Sequence, residues 1–581
     1  MPALQPMTAP LVLLSIVALL ALLIHGRAAP ALLFTVWAAA FHVTGLVDER
    51  EWLSSYSNPA LITLVVLLLV SHALERSPLL DRFSAVILKG GPSLAILRLS
   101  GVTALVSAVL NNTAVVGALL GVISRQRQVP ASKLLIPLSY AAILGGVTTL
   151  IGTSTNLVVN SFVIDAGLPA LQMFQFSLVG IPVALACIAV MVLSSPLLPA
   201  HPAASRDNRQ AYFLEAQVTG NSPLAGRSIE QNGLRNLDGL FLLEIEREDR
   251  LISPVGPDEI LRDGDILVFT GEIEKVQALQ QFSGLHVFGT RADALLGSNL
   301  VEVVISNESI LPNRTLREVD FRMQFDAGVV GIRRGDKRLT GQLGRVPLHV
   351  GDSLLLAVGP DFAHHRNIDR NFHLLDTGVL RPRLTNPQST LALSGFALAI
   401  ALSAFDVWPL LNSLLVLLAI LLGSRILTLS EMRRRFPFDL LVTIGSALTI
   451  AKALESSGAA QIVADAMRGM FDGYGIFGAF VGVYLITLVL TEVITNNAAA
   501  ALAFPIALST ARAFNVDPMP FVMAVAYGAS AGFLVPFGYQ THLMVMSPGR
   551  YRVLDFFKIG LPVSLTYSAV VLLLVPVFFP F

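Results

Sequence analysis

Apolar residues fall along this chain in two blocks, with a stretch of ordinary polarity between them. In the first block the runs are Thr8–Ile24, Ala29–Val47, Ala60–Leu74, Gly101–Ser124, Leu134–Ile164 and Met173–Ala200. They resume at Thr390–Phe405, Pro409–Leu429, Asp439–Leu454, Tyr474–Thr491, Val493–Thr510, Pro518–Thr541 and Phe556–Phe579. Many approach the length that crosses a bilayer as a helix. Thr8–Ile24 reads as a first transmembrane helix rather than a cleaved signal. No basic cluster precedes it, no clear small-residue cleavage site follows, and further spans come at once. Between the blocks the pattern changes. Leu240–Ile245 and Asp265–Phe269 look like short strands, and Gly264-Asp265 and Gly351-Asp352 are turn signals.

Several apolar runs are interrupted in the middle. Gly101–Ser124 contains Asn111-Asn112-Thr113, and Leu134–Ile164 contains Gly145-Gly146 and then Gly152-Thr153-Ser154-Thr155-Asn156. A polar, glycine-rich break at membrane depth is costly unless it is buried in protein or lines a wet cavity. Transporters build midplane sites from such discontinuous helices.

Composition sharpens the division. Of the 581 residues 54% are hydrophobic and 14% charged, against roughly 25% charged in soluble proteins. More than half of the Asp, Glu, Lys and Arg lie between Arg206 and Arg383. The net charge is zero, which suggests no nucleic-acid partner. Cys187 is the sole cysteine, so an internal disulfide or a cysteine metal cluster is excluded. No paired catalytic carboxylates, phosphate loop or nucleophile triad stands in a convincing context, so the chain does not read as an enzyme.

The breaks recur. Asn111-Asn112-Thr113-Ala114 returns as Asn496-Asn497-Ala498-Ala499, 385 residues on. The segment Ile151–Leu157 returns as Phe537–Leu543 at 386, and Tyr140 returns as Tyr527 at 387. Three matches in nearly constant register describe a duplicated membrane unit. The polar region repeats at a shorter period. Arg227-Ser228-Ile229 and Arg314-Thr315-Leu316 lie 87 residues apart, as do Gly264-Asp265 and Gly351-Asp352. This reads as a tandem pair of β-rich modules.

An anion in a membrane need not meet a buried cation. Free N–H groups at a helix start already form an anion site, and Asn and Thr add neutral donors. Asn112-Thr113 and Asn497, at two related helix starts, are placed to hold one oxyanion between them. The breaks Gly152–Asn156 and Gly538–His542 then offer carbonyl and hydroxyl oxygens to Na⁺, whose charge offsets that of the anion. Glu492 reads equally as a proton carrier or a structural carboxylate. His542 replaces the Asn expected from the first repeat and is a candidate modulator, as a sodium-site variant, a titrating group or a satisfied polar residue. Arg550 is expected to anchor a loop at the interface.

These motifs resemble the divalent anion/sodium symporter family, which carries two Ser-Asn-Thr signatures at re-entrant hairpin tips. The resemblance covers roughly 1–200 and 385–581. Ile151–Leu157 and Pro536–Thr541 look most like the sulfate-transporter branch, and the middle region resembles two TrkA-C (RCK C-terminal) domains near 210–285 and 296–376. The resemblance implies an all-α polytopic membrane protein with inverted repeats and re-entrant hairpins, plus an inserted α+β soluble region. Its parts are 1–204, a first membrane half; 205–288 and 289–384, two TrkA-C domains; and 385–581, a second membrane half. It also implies a homodimeric elevator in the cell membrane, with the N-terminus and TrkA-C domains cytoplasmic and the C-terminus outside. The basic run Arg433-Arg434-Arg435 suits a cytoplasmic loop.

By motif position the substrate set is Asn111, Asn112, Thr113, Asn496, Asn497 and Ala498. The Na⁺ set is Asn112, Gly152, Thr153, Ser154, Asn156, Asn497, Gly538, Gln540 and Thr541. Asn111 and Asn496 stand where the family has Ser, and Ala498 where it has Thr, which favours a small tetrahedral anion over a dicarboxylate. The expected function is Na⁺-coupled uptake of sulfate or a similar divalent oxyanion, with a nucleotide-type ligand at the TrkA-C domains by fold analogy. The alternatives are a dicarboxylate carrier or related antiporter, an RCK-regulated ion channel, and a membrane sensor with a vestigial transport core. No Thr-Val-Gly-Tyr-Gly-like filter supports a potassium channel.

Overall fold

The computed structural model describes residues 5–581 except 26–27, 77–90, 127, 202–212, 221, 235–236, 238–239, 249, 253–254, 272–278, 280–281, 289–299, 307–308, 340–342, 359–361, 363–364, 366–367 and 376–383. The expected domain boundaries at 204/205 and near 289 therefore lie outside the described residues.

The first block folds as helices α1 (Gln5–His25), α2 (Pro30–Val43), α3 (Glu49–Tyr56), α4 (Pro59–Glu75), α5 (Pro92–Ser107), α6 (Asn112–Arg125), α7 (Leu135–Gly146), α8 (Ser154–Asp165) and α9 (Ser177–Leu193). The second block holds α12 (Asn386–Ala404), α13 (Leu410–Gly423), α14 (Leu429–Arg434), α15 (Phe438–Ser456), α16 (Ala459–Phe471), α17 (Gly475–Val493), α18 (Asn496–Phe514), α19 (Met519–Gly528), α20 (Gln540–Met546) and α21 (Val553–Phe578); two short helices between the blocks, introduced below, complete the numbering. Among the described residues, four helical stretches are long and apolar enough to cross a membrane: Glu49–Leu74, Asn386–Ala404, Gly475–Val493 and Val553–Phe578. Shorter apolar helices, among them Pro92–Ser107 and Asn112–Ser124, come from the runs that the sequence shows to be broken.

Local chemistry sets the ends. Proline opens α2, α4 and α5, where its missing N–H costs nothing. Asp48 caps α3 in a box with Glu51, and Thr428 caps α14 in a box with Glu431. Two elements differ from the apolar-run reading. α5 starts at Pro92, nine residues before the predicted run, because one turn carries Arg98. α16 is amphipathic, so it shows no apolar run at all.

The region between the blocks is two copies of one antiparallel sheet. The first comprises β1 (Phe213–Val218), β2 (Leu240–Arg247), β3 (Arg250–Ile252), β4 (Ile266–Gly271) and β5 (Leu285–Phe288), in the order β3-β2-β4-β1-β5. The second comprises β6 (Leu300–Ile305), β7 (Ala327–Arg334), β8 (Lys337–Leu339), β9 (Ser353–Val358) and β10 (Phe372–Leu374), with α10 (Phe321–Phe325) and α11 (Ile368–Asn371), in the order β10-β6-β9-β7-β8. Each strand starts 87 residues after its counterpart. Even the irregularity is copied, since β2 bulges between Leu242 and Glu244 and β7 between Val329 and Gly331. The tandem duplication is thus a property of the fold.

The copies pack on each other through Leu243 and Val268 of the first and Val330 and Ala357 of the second. The second copy also reaches the membrane helices, for Val304 and Leu375 belong to the large apolar core of that part.

The same ion pair staples each sheet. Asp265 accepts Arg247 Nε and Nη2 at 2.8 Å each, and Asp352 accepts Arg334 Nε and Nη2 at 2.8 Å each. Both carboxylates are 1% exposed and take one further backbone N–H, from Arg262 and His349 respectively. Its hydrogen bonds to Asp265 hold the Arg247 guanidinium above its ordinary pKa. Each guanidinium also donates to a carbonyl, Arg247 to Ile260 at 2.8 Å and Arg334 to Pro347 at 2.7 Å, and Arg247 alone of the two adds a second carboxylate among the described residues, Glu259 at 2.9 Å. Asp352→Asn is therefore expected to destabilise its module by about 2 kcal/mol, below the roughly 3–5 kcal/mol of a fully buried pair because solvent reaches Arg334. Asp265→Asn should cost less. Pulse proteolysis of the central region in the two variants checks the ranking.

Candidate functional site

The breaks in the two membrane halves meet. Asn112 opens α6, Ser154 opens α8, Asn496 opens α18 and Gln540 opens α20. Each helix leaves its first N–H groups without intrahelical partners, so the four starts bring unsatisfied donors towards one place. Thr113 Oγ1 donates to Gln540 Oε1 at 3.2 Å, and Ser154 Oγ donates to Asn497 Oδ1 at 3.3 Å. Each contact joins the motif of one half to the downstream break of the other. Such reciprocal pairing is the mark of a twofold relation. Two tyrosines repeat the pattern deeper in the protein. Tyr140 of the first half donates to the Phe533 carbonyl at 2.7 Å, and Tyr527 of the second donates to the Phe176 carbonyl at 2.6 Å.

At the base of the cluster is Tyr539, the residue before α20. Its hydroxyl donates to Asn112 Oδ1 at 2.6 Å, and Thr153 and Asn496 stand near it. The Asn112 amide nitrogen lies 2.8 Å from Ser107 Oγ and 3.0 Å from the Ala142 carbonyl. Asn112, Thr153, Tyr539 and Thr541 are buried, Thr113, Ser154, Asn496 and Asn497 are half-buried, and Gln540 is exposed. The result is a neutral polar rim above a buried amide–phenol pair.

The halves align one residue differently from the motif comparison. Ser107 Oγ sits 2.8 Å from the Asn112 amide, and Thr491 Oγ1 donates to Asn496 Oδ1 at 2.9 Å, each hydroxyl five residues ahead of its asparagine. The helix caps are Asn111 and Thr495. Asn112 therefore pairs with Asn496 and Thr113 with Asn497, an offset of 384 rather than 385. Ala498 matches Ala114, so the second half carries an amide, not a methyl, where the first has the Thr113 hydroxyl. The side-chain letters align by identity, but caps decide where a helix begins. Asn111 is itself occupied in capping, since its Oδ1 accepts the Thr113 N–H at 3.1 Å. The downstream breaks keep the offset of 386, with Thr153 and Tyr539 both extended before α8 and α20.

Two glycines make this closeness feasible. A Cβ on Gly152 would lie 2.6 Å from the Gly146 carbonyl and 3.0 Å from that of Ser107. A Cβ on Gly538 would lie 2.8 Å from the Thr491 carbonyl, the counterpart of Ser107. Elsewhere the halves solve the same problem with different residues. In the first, the Thr149 hydroxyl donates to the Ala108 carbonyl and accepts the Gly152 N–H at 3.1 Å. In the second, Glu492 accepts the N–H groups of Phe533, Leu534 and Val535 at 2.9, 2.9 and 3.1 Å. Those three bonds make Glu492 the staple of the second break.

Asn156 and His542 differ most. The Asn156 Nδ2 donates to the Thr149 carbonyl at 2.8 Å, which fixes its amide, yet its buried Oδ1 has no hydrogen-bond partner among the described residues. A buried acceptor with no donor is an expensive group and suits a cation. The carbonyl end of α7 lies alongside, because Gly146 O is 3.5 Å from Asn156 Nδ2 and a Gly146 Cβ would meet the Asn112 amide at 2.5 Å. His542 is satisfied instead. Its Nε2–H donates to the Gly532 carbonyl at 2.9 Å, which leaves Nδ1 to accept from Ser139 Oγ at 2.7 Å. Ser139 Oγ is also 2.8 Å from Thr541 Oγ1. Tyr140, Tyr539 and Phe556 rings surround the imidazole at 5.1, 5.7 and 5.4 Å.

The structure thus brings together Asn112, Thr113, Asn496, Asn497, Thr153, Ser154, Gln540 and Tyr539, with Gly152, Asn156, Gly538, Thr541 and His542 lining the segments behind them. Arg550 lies apart, in the turn after α20, with a left-handed φ of 55°. Sequence reasoning did not single out Tyr539, Ser107, Thr491 or Ser139. The place of Tyr539 in a repeated break was the available signal for it.

Two duplicated membrane halves, bonded reciprocally through broken helices around one polar centre, define a secondary-transporter architecture. The chain matches the citrate transporter family (CitMHS) over residues 11–526 and belongs to it, as a multi-pass membrane transporter. It is 32% identical over 544 residues to a Chlamydomonas reinhardtii protein named for the sulfur deprivation response, covering 90% of this chain and 93% of that one. It is 31% identical over 567 residues to an uncharacterized transporter of Synechocystis, covering 93% and 92%. Sodium/sulfate cotransporter 1 of Chlamydomonas reinhardtii is 28% identical over 372 residues, 60% of this chain and 41% of that protein.

Gly538→Ala is expected to force the second break away from Thr491, costing about 1–3 kcal/mol. Glu492→Gln places an NH₂ group against backbone donors and should cost about as much. Thermal unfolding in detergent measures both, and each should lower the midpoint.

Proposed function

We propose that this protein carries sulfate or a similar divalent oxyanion into the cell together with Na⁺. The carrying observation is the convergence of four helix starts on a centre whose meeting groups are all neutral donors and acceptors. Helix starts favour an anion, and the absence of a formal charge among those groups leaves compensation to a co-bound cation. Asn496 and Asn497 donate to the anion through their amides, and Thr113 by turning its hydroxyl away from Gln540. Asn112 holds the Tyr539 phenol beneath them, and Asn156 Oδ1, with carbonyls at the end of α7, receives Na⁺. The reciprocal contacts Thr113–Gln540 and Ser154–Asn497 gather the polar groups of both halves at a single focus, which fits a compact tetrahedral anion better than a dicarboxylate with two separated ends. The names of the relatives, sodium/sulfate cotransporter among them, support the same substrate class.

The site moves across the bilayer as an elevator, in a homodimer, and the central modules are TrkA-C-type regulators on the cytosolic side. α21 then starts beside those modules and ends outside. The Asn156 and His542 difference makes the two halves unequal towards Na⁺, with the main cation site in the first.

Uptake of labelled sulfate into proteoliposomes, with and without an inward Na⁺ gradient, tests the reading. Sodium-driven sulfate uptake is expected, and preferential transport of succinate or citrate overturns it. Asn497→Ala removes one hydrogen bond to a charged ligand, about 1.5–3 kcal/mol, so the half-saturation for sulfate should rise roughly ten- to hundred-fold. Asn156→Ala should instead raise the half-saturation for Na⁺, with that for sulfate little changed at saturating Na⁺. A rise in the sulfate constant alone would remove Asn156 from the cation site.

A further inference from the structure

The second central module is seated on the helix that opens at the site. α20 runs seven residues from Gln540 to Met546, about 10 Å at 1.5 Å per residue. It ends in the turn Ser547–Arg550. Ser547, buried, donates to the Gly351 carbonyl at 2.6 Å and accepts the Gly335 N–H at 3.1 Å. Gly335 and Gly351 belong to two different turns of the second module, so one hydroxyl holds both. Arg552 Nε adds an ion pair with Asp336 at 2.7 Å. Tyr551, in the same segment, donates its hydroxyl to the Ser132 carbonyl at 2.6 Å and so ties this turn to the start of α7. The module is held elsewhere too. Just past its last described strand, Leu384 N–H donates to the Arg76 carbonyl at the end of α4, 3.2 Å away.

The duplication supplies an internal control. The turn Arg334-Gly335-Asp336-Lys337 corresponds to Arg247-Glu248-Asp249-Arg250 in the first copy. Both Gly335 and Glu248 are left-handed, with φ of 58° and 50°. The backbone alone therefore does not demand glycine at 335, because its twin tolerates glutamate. What demands it is the neighbour, since a Cβ there would lie 2.8 Å from the Tyr551 carbonyl. Gly351 and Gly264 make the same comparison. A Cβ on Gly351 would lie 2.8 Å from the Leu543 carbonyl, while one on Gly264 meets nothing within 4 Å among the described residues. The copies have diverged where the second touches the membrane part.

We infer that the second module is a clamp on the carrier: through Gly335, Gly351 and Asp336 it grips the turn Ser547–Arg552, restrains α20, and so restrains the site at the other end of that helix. Movement of α20 relative to α4 requires the clamp to open. A change in the modules therefore sets the maximum transport rate without altering the groups that bind the anion. The rate part of this inference rests on the transport reading above, whereas the grip itself does not.

The test copies the first module into the second. In Gly335→Glu, hydrogen exchange of backbone amides 540–552 in nanodiscs is expected to quicken at least ten-fold, while β6 and β9 stay protected. The maximal sulfate uptake rate should rise with little change in half-saturation. Unchanged exchange in 540–552 overturns the grip. An unchanged or lower uptake rate, with β6 and β9 protected, overturns the brake. A second variant guards against misfolding of the first. Asp336→Cys with Arg552→Cys, joined by a short bismaleimide, should stop uptake relative to the same protein treated with a monomaleimide. Equal uptake by the two preparations means the module travels with α20 and overturns the clamp. Failure of the carrier reading would look different, as no sodium-driven sulfate uptake by the unaltered protein.

Discussion

Backbone that leaves a helix at membrane depth must still have its N–H and C=O groups satisfied within the protein. Every distinctive feature of the membrane part follows from that demand. Four helices begin near the centre, so a set of unpaired donors is gathered where water is scarce. Side chains join these starts across the two halves, through Thr113 with Gln540 and Ser154 with Asn497. Neither half completes the site alone. Within each half a glycine, Gly152 or Gly538, lets the break fold back against carbonyls of its own preceding segment and so reach that shared centre.

The same demand is met unequally, and the inequality carries the chemistry. In the second half Glu492 binds three successive N–H groups, and His542 finishes a closed chain with Ser139 and Thr541. In the first half the small Thr149 does the equivalent work, and Asn156 is left with an oxygen facing no donor. One break is saturated by the protein, the other by protein and something else. Two copies of a single unit have thus separated into a rigid partner and a receptive one.

Much of this was legible in the chain itself. The interrupted apolar runs located the breaks, their recurrence exposed the duplication, and the 87-residue period of the polar region marked two modules that the sheets reproduce strand for strand. The register of the first motif was not legible. Asn111-Asn112-Thr113 and Asn496-Asn497-Ala498 match by letters, but the folded halves pair Asn112 with Asn496, each bonded to a hydroxyl five residues earlier, Ser107 or Thr491. Tyr539 was hidden for a related reason. A tyrosine in a membrane segment signals little until its hydroxyl is seen on Asn112 of the other half. The role of Glu492 depended on a loop forty residues downstream, a distance over which sequence spacing carries no information. α16 escaped because only one of its faces is apolar.

The tandem modules are stacked, so among the described residues the second touches the apolar core of the membrane helices and the first meets it at one remove through Leu243 and Val330. The arrangement divides evolutionary freedom between the copies. The inner copy is seated through glycines at which any side chain would press on the carrier's backbone, so its contact surface is held to one shape. The outer copy, whose corresponding turns carry Glu248 and an unobstructed Gly264, can change its exposed face without disturbing the carrier. Novelty in what the protein responds to has a place to arise, one layer away from what it transports.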